Sequence, residues 1–100
     1  MKVIISQFAE DSLKDIYSYY KENTSKSVAS KIKKSIVSEI KKLPRFIRKN
    51  SKEEFLDKKK GEFRKCVAGN YKIIYSIIDE QTILITDIFD SRQNPNKIRG

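Results

Sequence analysis

Histidine and tryptophan are missing from the chain, and cysteine appears once, at Cys66. A lone cysteine forms no internal disulfide, and without histidine the imidazole-based triads and the common zinc-ligand sets are excluded. Three glycines and two prolines leave few natural breaks, and no repeat or interdomain linker is visible. Uninterrupted apolar runs fall far short of the roughly 18 residues that a membrane span requires. The opening "MKVIISQFAEDSLKD" meets Glu10 and Asp11 too early for a secretory hydrophobic segment. The expectation is one soluble cytoplasmic domain without membrane attachment, metal or cofactor.

What is present is positive charge. The 100 residues carry 22 Lys plus Arg against 13 Asp plus Glu, a formal net charge of +9. Charged residues reach 35%, above the usual quarter or so. Five Tyr, five Phe and Ile-rich runs are too much hydrophobe for a disordered chain. The charge is also segregated. Between Asn23 and Lys65, 12 Lys and 3 Arg face 5 acids, an excess of +10, so the remaining residues sum to −1. A basic block of this kind suits a polyanionic partner: nucleic acid, an acidic protein or an anionic membrane.

Periodicity divides the chain into elements. Residues 1–6 contain a short β-branched run, and Ser6 is placed to cap a helix. Ala9, Leu13, Ile16, Tyr17 and Tyr20 share one helical face; Val28, Ile32, Ile36 and Ile40 form a ridge on a second helix. Residues 7–43 therefore read as a helical hairpin, with Pro44 as its stop. Residues 44–61 read as a basic loop, in which Lys58, Lys59 and Lys60 add charge for binding nucleic acid. Residues 62–90 read as an antiparallel meander turning at Gly69-Asn70 and again near Asp79, and residues 91–100 as a tail. The predicted class is α+β: an N-terminal strand and a helical hairpin packed on an antiparallel sheet, in the order βααβββ.

A two-residue loop at Gly69-Asn70 pairs Val67 with Lys72, Lys65 with Ile74 and Arg64 with Tyr75. Cys66, Ala68, Tyr71, Ile73, Tyr75 and Ile77 then share the face destined for the helices, with Arg64 at its end. Lys65 and Lys72 become diagonal neighbours on the other face, among apolar side chains suited to stacking while the ammonium groups hold phosphate. A one-residue bulge beside Gly69 would instead bring Arg64 next to Lys72, and both registers remain open.

In "FAEDSLKDIYSYY", "IKKLP" and "FRKCVAGNYKIIYSIIDEQTILITDIFDSRQNP" the chain resembles the RelE/ParE superfamily of toxins from type II bacterial toxin–antitoxin modules. The most specific part is the hairpin from Arg64 to Tyr75, followed by Arg-Gln-Asn-Pro from Arg92. The resemblance implies a basic toxin held inactive by a small acidic antitoxin. It offers two mechanisms: RelE-like metal-independent cleavage of mRNA on the ribosome, and ParE-like poisoning of DNA gyrase without catalysis. A degenerate toxin that only binds its antitoxin is a third.

RNA cleavage needs a base for the 2′-hydroxyl, cations on the phosphate and a proton for the departing oxygen. Carried over from the superfamily, Arg64 or Lys65 matches the basic position on the first hairpin strand, Lys72 the cation after the tyrosine, and Arg92 the tail arginine. Asp90 stands where relatives often place His, making it a possible proton acceptor, and Ile98 stands where a catalytic tyrosine would be expected. The cleavage reading is favoured here, with Arg64, Lys65, Lys72 and Arg92 as its catalytic set and Lys58, Lys59, Lys60, Lys65 and Lys72 binding RNA. It requires Lys65, Lys72 and Arg92 to converge on one anion.

Overall fold

The structure, a computed structural model, describes residues 1–50 and 63–92, with the side chains of 48–50 left aside. Its order is β1 (Lys2–Ile5), α1 (Gln7–Asn23), α2 (Lys26–Asn50), β2 (Phe63–Ala68), β3 (Tyr71–Asp79) and β4 (Thr82–Asp90). The predicted α+β class and the βααβββ order are both present. Ser6 caps α1, its hydroxyl accepting from the Ala9 N–H at 3.1 Å, and Ser25 accepts from Val28 in the same way at the start of α2.

The meander is antiparallel, but β1 joins it parallel to β4, so the four-stranded sheet is mixed, in the order β1-β4-β3-β2. Two helices intervene between β1 and the meander, and a crossover of that length is what parallel neighbours need. Val3 and Ile5 pack against the core while Lys2 and Ile4 face outward. The hairpin register is the one a two-residue loop requires, with Lys65 opposite Ile74 and Val67 opposite Lys72. Gly69 has φ of +59° while Asn70 stays at negative φ, the arrangement of a type II′ turn, and an L side chain at Gly69 would be strained.

Helix α2 differs from the sequence expectation at its end. Pro44 lies inside it, and the helix continues through Arg45 to Asn50, residues read as loop. A proline in a helix interior removes one hydrogen bond and costs about 3 kcal/mol. Against that, Ile36, Ile40, Leu43 and Ile47 form one uninterrupted buried stripe, with Ile47 only 1% exposed. Ending at Pro44 would withdraw Ile47 from the core, and burying a side chain of that size gains about 1.5–3 kcal/mol. The same buried core includes Ile73, Tyr75 and Ile77 of β3 and Ile83, Ile85 and Ile88 of β4.

One residue of β4 breaks the alternation. Ile74 pairs with Asp87 but Tyr75 pairs with Ile85, leaving Thr86 as an extra residue. The bulge is held from both sides. Thr86 Oγ1 donates to the Ile74 carbonyl at 3.4 Å, and Ser6 Oγ donates to the Thr86 carbonyl at 3.2 Å. Pairing with β1 ends there, the Ser6 N–H reaching the Ile85 carbonyl at 2.9 Å.

If α2 is anchored beyond Pro44, Ile47→Ala lowers stability by about 2–4 kcal/mol, close to Ile36→Ala. Urea denaturation measures both. A near-zero effect at Ile47 with a full effect at Ile36 would contradict the extended helix.

Candidate functional site

The bulge decides which side chains meet. Uninterrupted alternation from Ile83 and Ile85 would turn Asp87 and Phe89 toward the helices and Asp90 toward the open face. With Thr86 inserted, Ile88 and Asp90 fall on the helix side, opposite Ile73 and Tyr71, while Phe89 lies on the open face opposite Lys72. Functional side chains therefore form two clusters on opposite faces of the sheet.

On the open face, Lys65 and Lys72 are diagonal neighbours across β2 and β3. Such pairs sit about 7–8 Å apart, within reach of one phosphate group. Phe89 and Ile74 flank them as half-buried apolar surface, and Phe63 and Val67 are exposed beside them. The hairpin register places Lys65, not Arg64, beside Lys72. Arg64 lies on the helix side, half-buried opposite Tyr75. Burial pushes the Tyr75 hydroxyl pKa up, and the Arg64 guanidinium opposes that rise.

On the helix side, Arg92 is paired with Asp90. Its Nε donates to Asp90 Oδ1 at 3.0 Å, its Nη2 to Oδ2 at 2.7 Å, and its backbone N–H to Oδ1 at 2.9 Å. Nη2 also reaches the Tyr20 hydroxyl at 3.3 Å. The neighbouring Ser91 N–H is bonded to the Asn70 carbonyl at 2.7 Å, fastening this segment to the hairpin turn. Hydrogen bonds from the Arg92 side chain hold the Asp90 carboxyl below its ordinary pKa, against a smaller opposing effect of burial. Hydrogen bonding to Asp90 and then to Tyr20 raises that of Arg92. A carboxylate so held is a weak base at neutral pH, which counts against Asp90 as the proton acceptor. The Tyr71 hydroxyl is buried beside them; burial first, then Tyr20 and Asp90, pushes its pKa up while Arg92 pulls it down.

The four cations carried over from the superfamily therefore divide, Lys65 and Lys72 on one face and Arg64 and Arg92 on the other. Lys58, Lys59 and Lys60 lie outside the described residues, as do Ile98 and the rest of 93–100. Cys66 is a half-buried thiol with a pKa pushed up to about 11, chiefly by burial and then by Glu39, which leaves it little thiolate character.

Sequence reasoning missed a cavity of about 520 Å³ between α1 and the second half of β4, beyond the end of β1. Phe8, Asp15 and Tyr19 of α1 line one wall, and Ile88, Asp90 and Arg92 the other. Phe8 is 42% exposed and Tyr19 59% exposed. The available signal was a second set of aromatics on α1, at 8 and 19, off the core-facing stripe.

A family described as "ParE toxin of type II toxin-antitoxin system, parDE" matches residues 3–95. The chain belongs to the ParE toxin family. A solved structure described as "Chromosomal ParDE TA system from P. aeruginosa" has the same fold, with a TM-score of 0.70 at 18% sequence identity, covering 90% of this chain and 95% of that one. No curated protein sequence matches. The ParE assignment accounts for the basic charge, the βααβββ order and the hairpin spacing together.

Because the folded-state pKa of Asp90 is depressed, its ion pair stabilises the fold above the unfolded carboxyl value of about 3.9 and ceases to as pH falls through the lower folded value. Asp90→Asn therefore lowers the thermal midpoint at neutral pH. The gap from wild type shrinks once pH is taken below about 4. Melts across that range measure it, and a gap independent of pH would show that the pair contributes no charge-dependent stability.

Proposed function

We propose that the chain arrests growth as a ParE-type inhibitor of DNA gyrase, without cutting RNA, and is held off by a small acidic antitoxin. The observation that carries this reading is the separation of the cations. Metal-free RNA cleavage needs several cationic or proton-transferring groups around one phosphate. Here Arg92 is bonded to Asp90 and Tyr20 on the helix side, away from Lys65 and Lys72. Bringing the Arg92 side chain round would break its two-point ion pair with Asp90 and its bond to Tyr20 together. The sequence contains no histidine to supply a proton in its place.

The antitoxin follows from family membership and from charge, since an acidic segment complements a surface of net charge +9. Ribosome-dependent mRNA cleavage stands second, favoured by Lys65 and Lys72 sharing a face with Phe89, an arrangement able to hold a phosphate beside a stacked base.

Purified protein added to gyrase and relaxed plasmid is expected to inhibit supercoiling or to accumulate cleaved DNA, while mRNA in a translation extract stays intact. Cleaved mRNA with normal supercoiling would overturn the proposal and install the second reading. Lys65→Ala with Lys72→Ala would then abolish the cutting.

A further inference from the structure

The outward face of α2 carries the densest charge among the described residues and lies apart from both side-chain clusters on the sheet. From Lys26 to Ile47 the helix holds six Lys and one Arg against a single acid, Glu39. The core stripe of Ile36, Ile40, Leu43 and Ile47 fixes which side points inward. By helical angle, Lys31, Lys34, Lys41, Lys42 and Arg45 then fall on the opposite side, and all five are exposed. Lys34, Lys41 and Arg45 form one row spanning about 16 Å at 1.5 Å per residue. Ser38 sits within that row, exposed. A groove of about 730 Å³ runs along it toward α1, where Lys33 Nζ lies 5.6 Å from the centre of the Tyr17 ring.

A solubilising lysine face ordinarily interleaves acids that make helical pairs. On α2 Glu39 supplies one such pair, with Lys42 at 3.2 Å. Lys31 and Lys34, Lys41 and Arg45, and Lys42 and Arg45 are like charges three or four residues apart. Each such pair destabilises a helix by about 0.2–0.5 kcal/mol. A stability cost repeated along one face, with Glu39 its single counter-charge among the described residues of the helix, is expected of a surface whose further counter-charge is a ligand.

We propose that this face of α2 binds the phosphate backbone of duplex nucleic acid without regard to sequence. The outward face of a helix about 10–12 Å across, edged by rows of cations, can enter a major groove about 12 Å wide. The predominance of Lys over Arg favours point-charge contact with phosphates over forked reading of bases, and the Ser38 hydroxyl adds a neutral phosphate donor. An anionic bilayer is the poorer occupant. The positions 31, 34, 38, 41, 42 and 45 at the centre of the face include no apolar side chain to enter the interface. The inference extends the gyrase reading, because the substrate of gyrase is duplex DNA, yet bare duplex tests it with no gyrase present, so either can fail without the other.

Fluorescence anisotropy with short labelled duplexes of two unrelated sequences tests the proposal. Contact with about five phosphates gives a slope near −4 to −5 for log affinity against log salt, similar for both sequences. Lys34→Ala, Lys41→Ala and Arg45→Ala together weaken binding to both duplexes alike and reduce the slope by about 3. Alanine suits exposed helix positions, and circular dichroism confirms that the variant remains folded. Absence of binding at low salt, an unchanged slope in the triple variant, or tighter binding to polyglutamate or to anionic vesicles than to duplex would each overturn it.

Discussion

One extra residue in the last strand determines which side chains this fold brings together. Thr86 is unpaired in the β3–β4 ladder, and the bulge is held by Ser6 on one side and the Ile74 carbonyl on the other. Ser6 serves three structures at once: its hydroxyl caps α1 and donates to the bulge, and its N–H closes the β1–β4 ladder. The start of the first helix, the end of the first strand and the phase of the last strand are thereby tied together. Because a strand has a period of two, one inserted residue exchanges the faces of everything beyond it. Asp90 moves under the helices, and Arg92 follows it into contact with Tyr20.

The consequence is electrostatic. Arg92 and Asp90 lie beside a cavity walled by Phe8 and Tyr19, where their charges satisfy each other. Lys65 and Lys72 remain on a face where Phe89 is the large neighbour that the bulge supplies. Two cations on a flat half-apolar surface can hold an anion. Among the described residues Arg92, bonded to Asp90 and Tyr20 on the other face, does not join them.

Much of this architecture was legible in the residues, for identifiable reasons. The hairpin turn was legible at Gly69-Asn70, but the residues left two registers open; the structure takes the two-residue loop, with Gly69 supplying the positive φ. The helical stripes followed from three- and four-residue spacing. The helix end did not, because local rules stop a helix at Pro44 whereas Ile47 sits three turns beyond Ile36 on the same buried line. Here tertiary burial offsets a local penalty of similar size. The bulge was invisible for a different reason. "TILITDIFD" offers apolar residues in both phases, Ile83 and Ile85 in one and Ile88 in the other, so patterning tolerates an inserted residue at Thr86 without revealing it.

That blindness bears on how function is read from such sequences. The motif linking Arg64, Lys72 and Arg92 identifies the family correctly, since it records the hairpin and the spacing to the tail. It does not record the phase of β4, and the phase decides whether the tail arginine faces Lys72 or Tyr20. In this chain, then, a linear order of basic residues divides between an open pair, Lys65 and Lys72, and a closed ion pair, Arg92 with Asp90. A shared fold constrains partners and shape more tightly than it constrains chemistry. The side chains that set the phase of β4 in this chain are not the cations but Thr86 at the bulge and Ser6 at the first helix cap, which holds it.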